Sequence, residues 1–307
     1  MGSSEWKRKS ALAVFLLLAV TVTVVGLYGA DNKPGTFAHR VTGVYDEPVY
    51  LGSIPLEAGL KPAWVYSVRG RLYVNYFDRE YVDIFTPEGK RKGRFSTSLK
   101  VGQGGPQGMA LTGNRLMVAD FKNHALTVFN PDGKYLEAFA EKPDKESFIP
   151  VGVAVYNRVF YVTDVKSGGW MAVGDDGRLI TAVKGQKESS MEFPYGIAVT
   201  EDGRVVVTDP KGGNIRVFAC PGWYAYSLPV REAGMLNPQG IALDGLGRLH
   251  VVDNGGNRVV VFDNRGYYLF KYGAERLLGP STVTVDRDKR LIYVANTEKG
   301  SLEVWGY

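Results

Sequence analysis

Four aspartates close equivalent short segments of the chain: Asp120, Asp164, Asp209 and Asp253. Asn296 and Tyr76 take the matching places in two further segments. A gathering of carboxylates is costly unless it holds a cation or pairs with donors. One reading is a hard cation such as Ca2+ on oxygen ligands. The other is structural, each carboxylate accepting backbone N–H bonds from the turn after its strand. The structural role is the expectation, and metal binding is the alternative. Of the three histidines, His39 precedes the repeated segments. His250 shares the register of Tyr73, Met117, Tyr161 and Tyr293, so it is expected to pack rather than to ligate zinc. No Ser-His-Asp or Cys-His arrangement is readable, and no catalytic residue is assigned. The lone Cys220 excludes an internal disulfide and a cysteine-based zinc module.

A third constellation is basic. Arg79, Lys122, Lys166, Lys211, Arg258 and Lys299 place one cation in each of six segments, all in the same kind of turn. Tyr76, Phe121, Trp170, Tyr195, Gln107, Gln239 and Asn254 lie near them in sequence or register. Six cations on one rim would focus potential on an anionic ligand or partner, although Asp78, Glu80 and Glu298 offset part of it. Solvated surface charge is the plainer reading.

The elements that must carry these residues are repeats. A proline opens each unit, at Pro62, Pro106, Pro150, Pro194, Pro238 and Pro280, at intervals of 44, 44, 44, 44 and 42 residues. In the middle four units it starts a Pro-x-Gly-apolar-Ala-apolar strand; the first and last reduce this to Pro62-Ala63-Trp64-Val65 and Pro280-Ser281-Thr282-Val283. A second strand ends at the aspartate. A third ends near an aromatic, as at Phe85, Phe129, Phe218, Phe262 and Trp305. A turn with glycine then leads into a fourth. Four short antiparallel strands per unit describe one propeller blade. Six such blades bury both faces of every sheet only when stacked in a ring. The chain stops after a third strand, while Val49 to Ile54 repeats the fourth-strand pattern. That N-terminal strand is therefore expected to complete the last blade, giving an all-β six-bladed β-propeller over residues 49–307.

Residues 1–10 carry Lys7, Arg8 and Lys9, and residues 11–30 are an uncharged apolar run. Twenty residues at about 1.5 Å each span about 30 Å, the thickness of a bilayer core. The basic flank should stay in the cytoplasm, which places a linker (31–48) and the propeller outside. A single-pass signal-anchor is expected. Tyr28 and Leu27 sit badly before a cleavage site, although a cleaved signal peptide is the rival reading. The formal net charge is +5, and the first 30 residues hold +2 of it. The remainder is too small to argue for nucleic-acid binding.

Asn257-Arg258-Val259-Val260-Val261-Phe262-Asp263-Asn264-Arg265-Gly266-Tyr267-Tyr268-Leu269 resembles the core of the NHL repeat, with looser copies from Asn123 and Asn214. The resemblance covers about residues 49–307 and implies a six-bladed propeller. NHL relatives bind proteins or RNA, and one branch, the peptidylglycine amidating lyases, is enzymatic. A lyase-like site would need zinc on several histidines, which this chain does not group. Six-bladed lactonases would place Ca2+ in the channel, on the aspartate series. RNA binding conflicts with export, and a ubiquitin-ligase role would need a cysteine-rich module. Because fold does not fix function, the resemblance implies a function only loosely. Together with the N-terminal anchor and the basic rim, the expectation is an exported, membrane-tethered binding scaffold for another exported or membrane protein or an anionic ligand, with a metal-assisted hydrolase or lyase using the central channel as the alternative.

Overall fold

The computed structural model describes residues 46–97, 105–138, 148–185, 189–219 and 221–307. The basic stretch 1–10, the apolar run 11–30, the linker to residue 45, His39 and Cys220 lie outside them. Among the described residues, no helix is long and apolar enough to cross a membrane.

Twenty-four strands of the described residues form six four-stranded antiparallel sheets. Five sheets run in chain order. In the sixth, Val49–Pro55 lies outside Ser301–Gly306, which is followed inward by Leu291–Asn296 and Pro280–Asp286. The expected closure is therefore formed. Val49 pairs with Gly306 and Ile54 with Leu302. The Tyr50 ring meets Trp305 edge-on at 5.4 Å. The Tyr50 hydroxyl donates to Glu303 at 2.8 Å, and Ser53 Oγ donates to the same carboxylate at 3.1 Å.

Repeat glycines are explained by close approach. The inner strands include Pro106–Thr112, Pro150–Tyr156 and Pro238–Leu243. A Cβ on Gly152 would sit 2.2 Å from the Tyr195 carbonyl oxygen, and one on Gly240 2.5 Å from Thr282 Cα. Any side chain there would hold neighbouring inner strands apart. In blade 4 the strand proper begins at Ile197 rather than at Pro194, but Tyr195 N and Gly196 O still bond Thr208 at 2.8 and 3.0 Å. The turn into the fourth strand needs glycine twice over. Gly133 has φ 86°, and its Cβ would fall 2.3 Å from the Phe95 ring of the preceding blade.

The apolar core lies between blades. Val206, Val217 and Leu228 of blade 4 pack on Ile241, Val251 and Phe262 of blade 5, and the other interfaces repeat the pattern. Because strands alternate in direction, the ring has two faces. Turns between second and third strands, and the connections into the next blade, share one face, called here the rim face. First-to-second and third-to-fourth turns share the other. The chain enters its closing strand at Val49 on that second face, the entry face.

Candidate functional site

The aspartate series turns inward on its own backbone. Asp120 Oδ1 accepts N–H bonds from Gly105 (3.0 Å) and Asn123 (3.1 Å). Asp164 Oδ1 takes Ile149 (2.8 Å) and Lys166 (3.1 Å). Asp209 takes Glu192 and Phe193, both at 2.9 Å, and Asp253 takes Leu236 and Asn237, also at 2.9 Å. Each carboxylate thus ties the incoming connection to its own blade, and all four are buried. Among the described residues, no three His, Cys, Asp or Glu side chains come together as a metal-holding group.

Where the acid is missing, the third strand supplies it. Tyr76 donates its hydroxyl to the buried Asp83 at 2.9 Å, and Arg94 grips that carboxylate at 2.7 and 2.9 Å. In blade 6, Asn296 accepts the Leu278 N–H and donates to the buried Glu303, which also takes Ser301 Oγ. Burial, followed by the bond to Glu303 and its charge, pushes the Tyr50 hydroxyl up to about 12, so it is a donor at neutral pH. Sequence reasoning passed over Asp83 and Glu303. The signal available was the break in the aspartate series at Tyr76 and Asn296.

The rim cations divide into two groups. Arg79, Lys122 and Lys166 are exposed, and among the described residues the two lysines make no ion pair. Lys211 reaches Glu192 at 3.4 Å, and Lys299 donates to the Arg276 carbonyl at 2.7 Å. Arg258 is a structural side chain: its Nε lies 3.0 Å from Asp253, and it also donates to the Gly234 carbonyl. Of the uncharged candidates, Phe121, Gln107 and Gln239 are half-buried at the inner rim. Asn254 Nδ2 donates to the Pro280 carbonyl at 2.9 Å and so joins blades 5 and 6. Trp170 is not on the rim surface. It is 3% exposed, packed edge-on against Phe218, because the third strand turns it into the gap between blades 3 and 4.

Tyr195 belongs to a different arrangement. Its ring lies 5.2 Å from the indole of Trp64, on the blade across the ring, and stacks on Phe193 at 6.3 Å. Trp64 and Tyr195 are both 8% exposed and cover the rim end of the central channel. Below them the channel widens to a cavity of about 280 Å³, walled by Met109, Val153, Ile197, Ile241 and Val283 and reaching Glu201 and Arg287 on the entry face. Burial alone raises the Tyr195 hydroxyl well above its ordinary range.

His250 packs, as its register implied. It is fully buried, with Nε2 2.9 Å from Asp244 Oδ2 and Nδ1 3.1 Å from the Tyr272 hydroxyl. A neutral imidazole with its proton on Nε2 satisfies both bonds. Burial lowers the pKa of His250 first, the Asp244 carboxylate pulls the other way, and Arg248 lowers it further. Arg248 is equally buried. It bonds Asp244 at 2.6 Å and the Asp46 carbonyl at 2.8 Å, pinning the incoming chain beside Tyr307.

Six four-stranded blades closed by an N-terminal strand define a six-bladed β-propeller. Known structures of that form are similar across nearly the whole described ring. A streptogramin B lyase has a TM-score of 0.62 at 15% identity, covering 84% of this chain and 98% of its own. A luciferin-regenerating enzyme has a TM-score of 0.65 at 12% identity, covering 84% and 94%. A catalytically inactive histidine-to-alanine variant of virginiamycin B lyase from Staphylococcus aureus, with quinupristin, has a TM-score of 0.62 at 16% identity, covering 82% of each chain. At such identities the likeness establishes the fold alone. No family model matches the chain, and no curated protein matches it in sequence.

Proposed function

We propose that the chain is a binding scaffold of the NHL-like kind, exported and held at a membrane by residues 11–30. Its rim face would recognise another exported or membrane protein, or an anionic ligand. One observation carries this reading. The channel is covered at the rim by Trp64 on Tyr195, and the aspartate oxygens are occupied by backbone N–H groups. What the rim offers is therefore a surface, which suits a macromolecule better than a small substrate. Arg79, Lys122, Lys166, Lys211 and Lys299 stand on it. The exposed Phe77, Leu236 and Leu278 lie among them.

Reversing Lys122, Lys166 and Lys211 to Glu tests the reading by affinity capture from solubilised membranes. Capture of the partner should weaken strongly, and most at low salt, where screening is least. Unfolding should change by no more than about 0.5 kcal/mol, as for other surface substitutions. Undiminished capture by a normally folded triple variant removes the rim from consideration.

A further inference from the structure

The exposed large apolar side chains are unevenly spread. Seven of the ten found among the described residues begin the outer strands of four consecutive blades, at the edge of the entry face. They are Tyr135 and Leu136 in blade 2, Leu179 and Ile180 in blade 3, Trp223 in blade 4, and Tyr267 and Tyr268 in blade 5. Trp223 is 73% exposed, Tyr267 67% and Ile180 58%. Tyr135 and Tyr268 set their rings edge-on against the buried Phe129 and Phe262, at 6.1 and 6.5 Å, yet both stay more than 40% exposed, and the outer strands of blades 2 to 4 bury no residue fully. Blade 1 carries Lys90, Arg91 and Lys92 at the equivalent place, and blade 6 carries the incoming chain at Val49.

We propose that this arc is a membrane-docking edge, seated in the interfacial layer of an anionic bilayer. The proposal rests on the anchor reading of residues 11–30. Three features select lipid over another occupant. The chain enters the propeller on the same face, 18 residues after the apolar run ends. A coil of that length would span about 20–25 Å on average, short enough to keep this face near the bilayer. The side chains are of the interfacial type, Trp and Tyr with flanking aliphatics, and such rings settle at headgroup level. Exposed cations stand within two residues ahead of three of the four clusters, Lys134, Arg178 (3.9 Å from Asp176) and Arg265, and blade 1 continues the basic stretch. Each such cation near an anionic surface adds to the attraction. The rim face would then point away from the membrane, toward partners.

The five tryptophans make the test direct. Trp64, Trp170 and Trp305 are buried, and Trp6 is removed as Trp6→Phe, leaving Trp223 as the exposed reporter. The full chain is reconstituted into vesicles of phosphatidylcholine and phosphatidylglycerol with brominated acyl chains. Fluorescence of the Trp6→Phe protein should be quenched, and that quenching should vanish in Trp6→Phe/Trp223→Phe. Replacing phosphatidylglycerol by phosphatidylcholine should reduce it. Protein that floats with the vesicles without quenching overturns the docking edge while leaving the anchor standing. Protein that fails to float overturns the anchor reading and the proposal with it. Quenching absent in vesicles that hold a stable dimer would assign the arc to contact between copies, and would likewise overturn it.

Discussion

The indole of Trp64 and the phenol ring of Tyr195 meet at 5.2 Å across the ring of blades. In blades 2 to 5 the register of Trp64 is held by glycine, which falls inside a register shift in blades 2, 3 and 5. Blade 1 instead pairs Trp64 directly with Asn75. Moving the irregularity by one residue re-aims the side chain, so that the large ring enters the channel without separating the inner strands. One degenerate repeat thereby closes one end of the whole propeller.

Trp64→Ala should accordingly cost about 3–5 kcal/mol, the usual loss for a buried tryptophan. Urea unfolding measures it directly. A cost of about 0.5 kcal/mol, typical of surface sites, would show that the plug contributes nothing to packing.

The closing strand rests on a buried carboxylate. Glu303 accepts bonds from Tyr50, Ser53, Asn296 and Ser301. Glu303→Ala leaves these donors facing each other, at about 1–3 kcal/mol for each group that water cannot reach. Glu303→Gln keeps an acceptor and should recover part of the loss. Unchanged stability in the alanine variant would mean that the ring closes through strand pairing alone.

Blade count, strand order and closure were legible in the sequence because each repeat spells them out again. The six prolines fix the period, and the unpaired fourth-strand pattern at Val49 fixes the closure. The site was less legible for the opposite reason: its distinctive residues are departures from the repeat. Trp64 read as a worn copy of Pro-x-Gly, Asp83 and Glu303 read as ordinary strand positions, and Trp170 read as a rim residue. Alternation along a strand assigns a side to each residue, but only the neighbouring blade decides whether that side is solvent or core.

The Asp244–His250 pair predicts a two-step loss of stability in acid. Burial pushes the Asp244 carboxyl up, but the bond from His250 and the charge of Arg248 outweigh it and hold it at about 2, against an ordinary 3.8. Its contribution is present above 3.8 and fades as pH falls toward 2. His250 is depressed from 6.5, so below 6.5 the unfolded chain takes up a proton that the folded one refuses. Stability should therefore begin to fall just below 6.5 and fall again below 3.8. His250→Gln should flatten the first step, as seen by comparing urea midpoints at neutral pH and near pH 5. An equal fall in both proteins would place the titrating group elsewhere.

Thr208 is the sharpest test of how blades are joined. Its Oγ1 accepts the Gly196 N–H at 2.8 Å within blade 4 and donates to the Gln239 carbonyl of blade 5 at 2.6 Å. Thr163 does the same for Gly152 and Tyr195 between blades 3 and 4. In blade 5 that register is Val252, and Asn254 instead reaches across to the Pro280 carbonyl. A hydroxyl at this place therefore serves two backbone groups that are buried beside the channel. Thr208→Val keeps the shape and removes both bonds, leaving a donor and an acceptor unsatisfied at about 1–3 kcal/mol each. Thr208→Ser keeps the hydroxyl and should stay within about 1 kcal/mol of the parent. Hydrogen exchange should locate the effect, with the Gly196 amide losing protection in the valine variant and keeping it in the serine variant. A valine variant as stable as the parent, with Gly196 still protected, would mean that apolar packing between blades holds the ring without this bond.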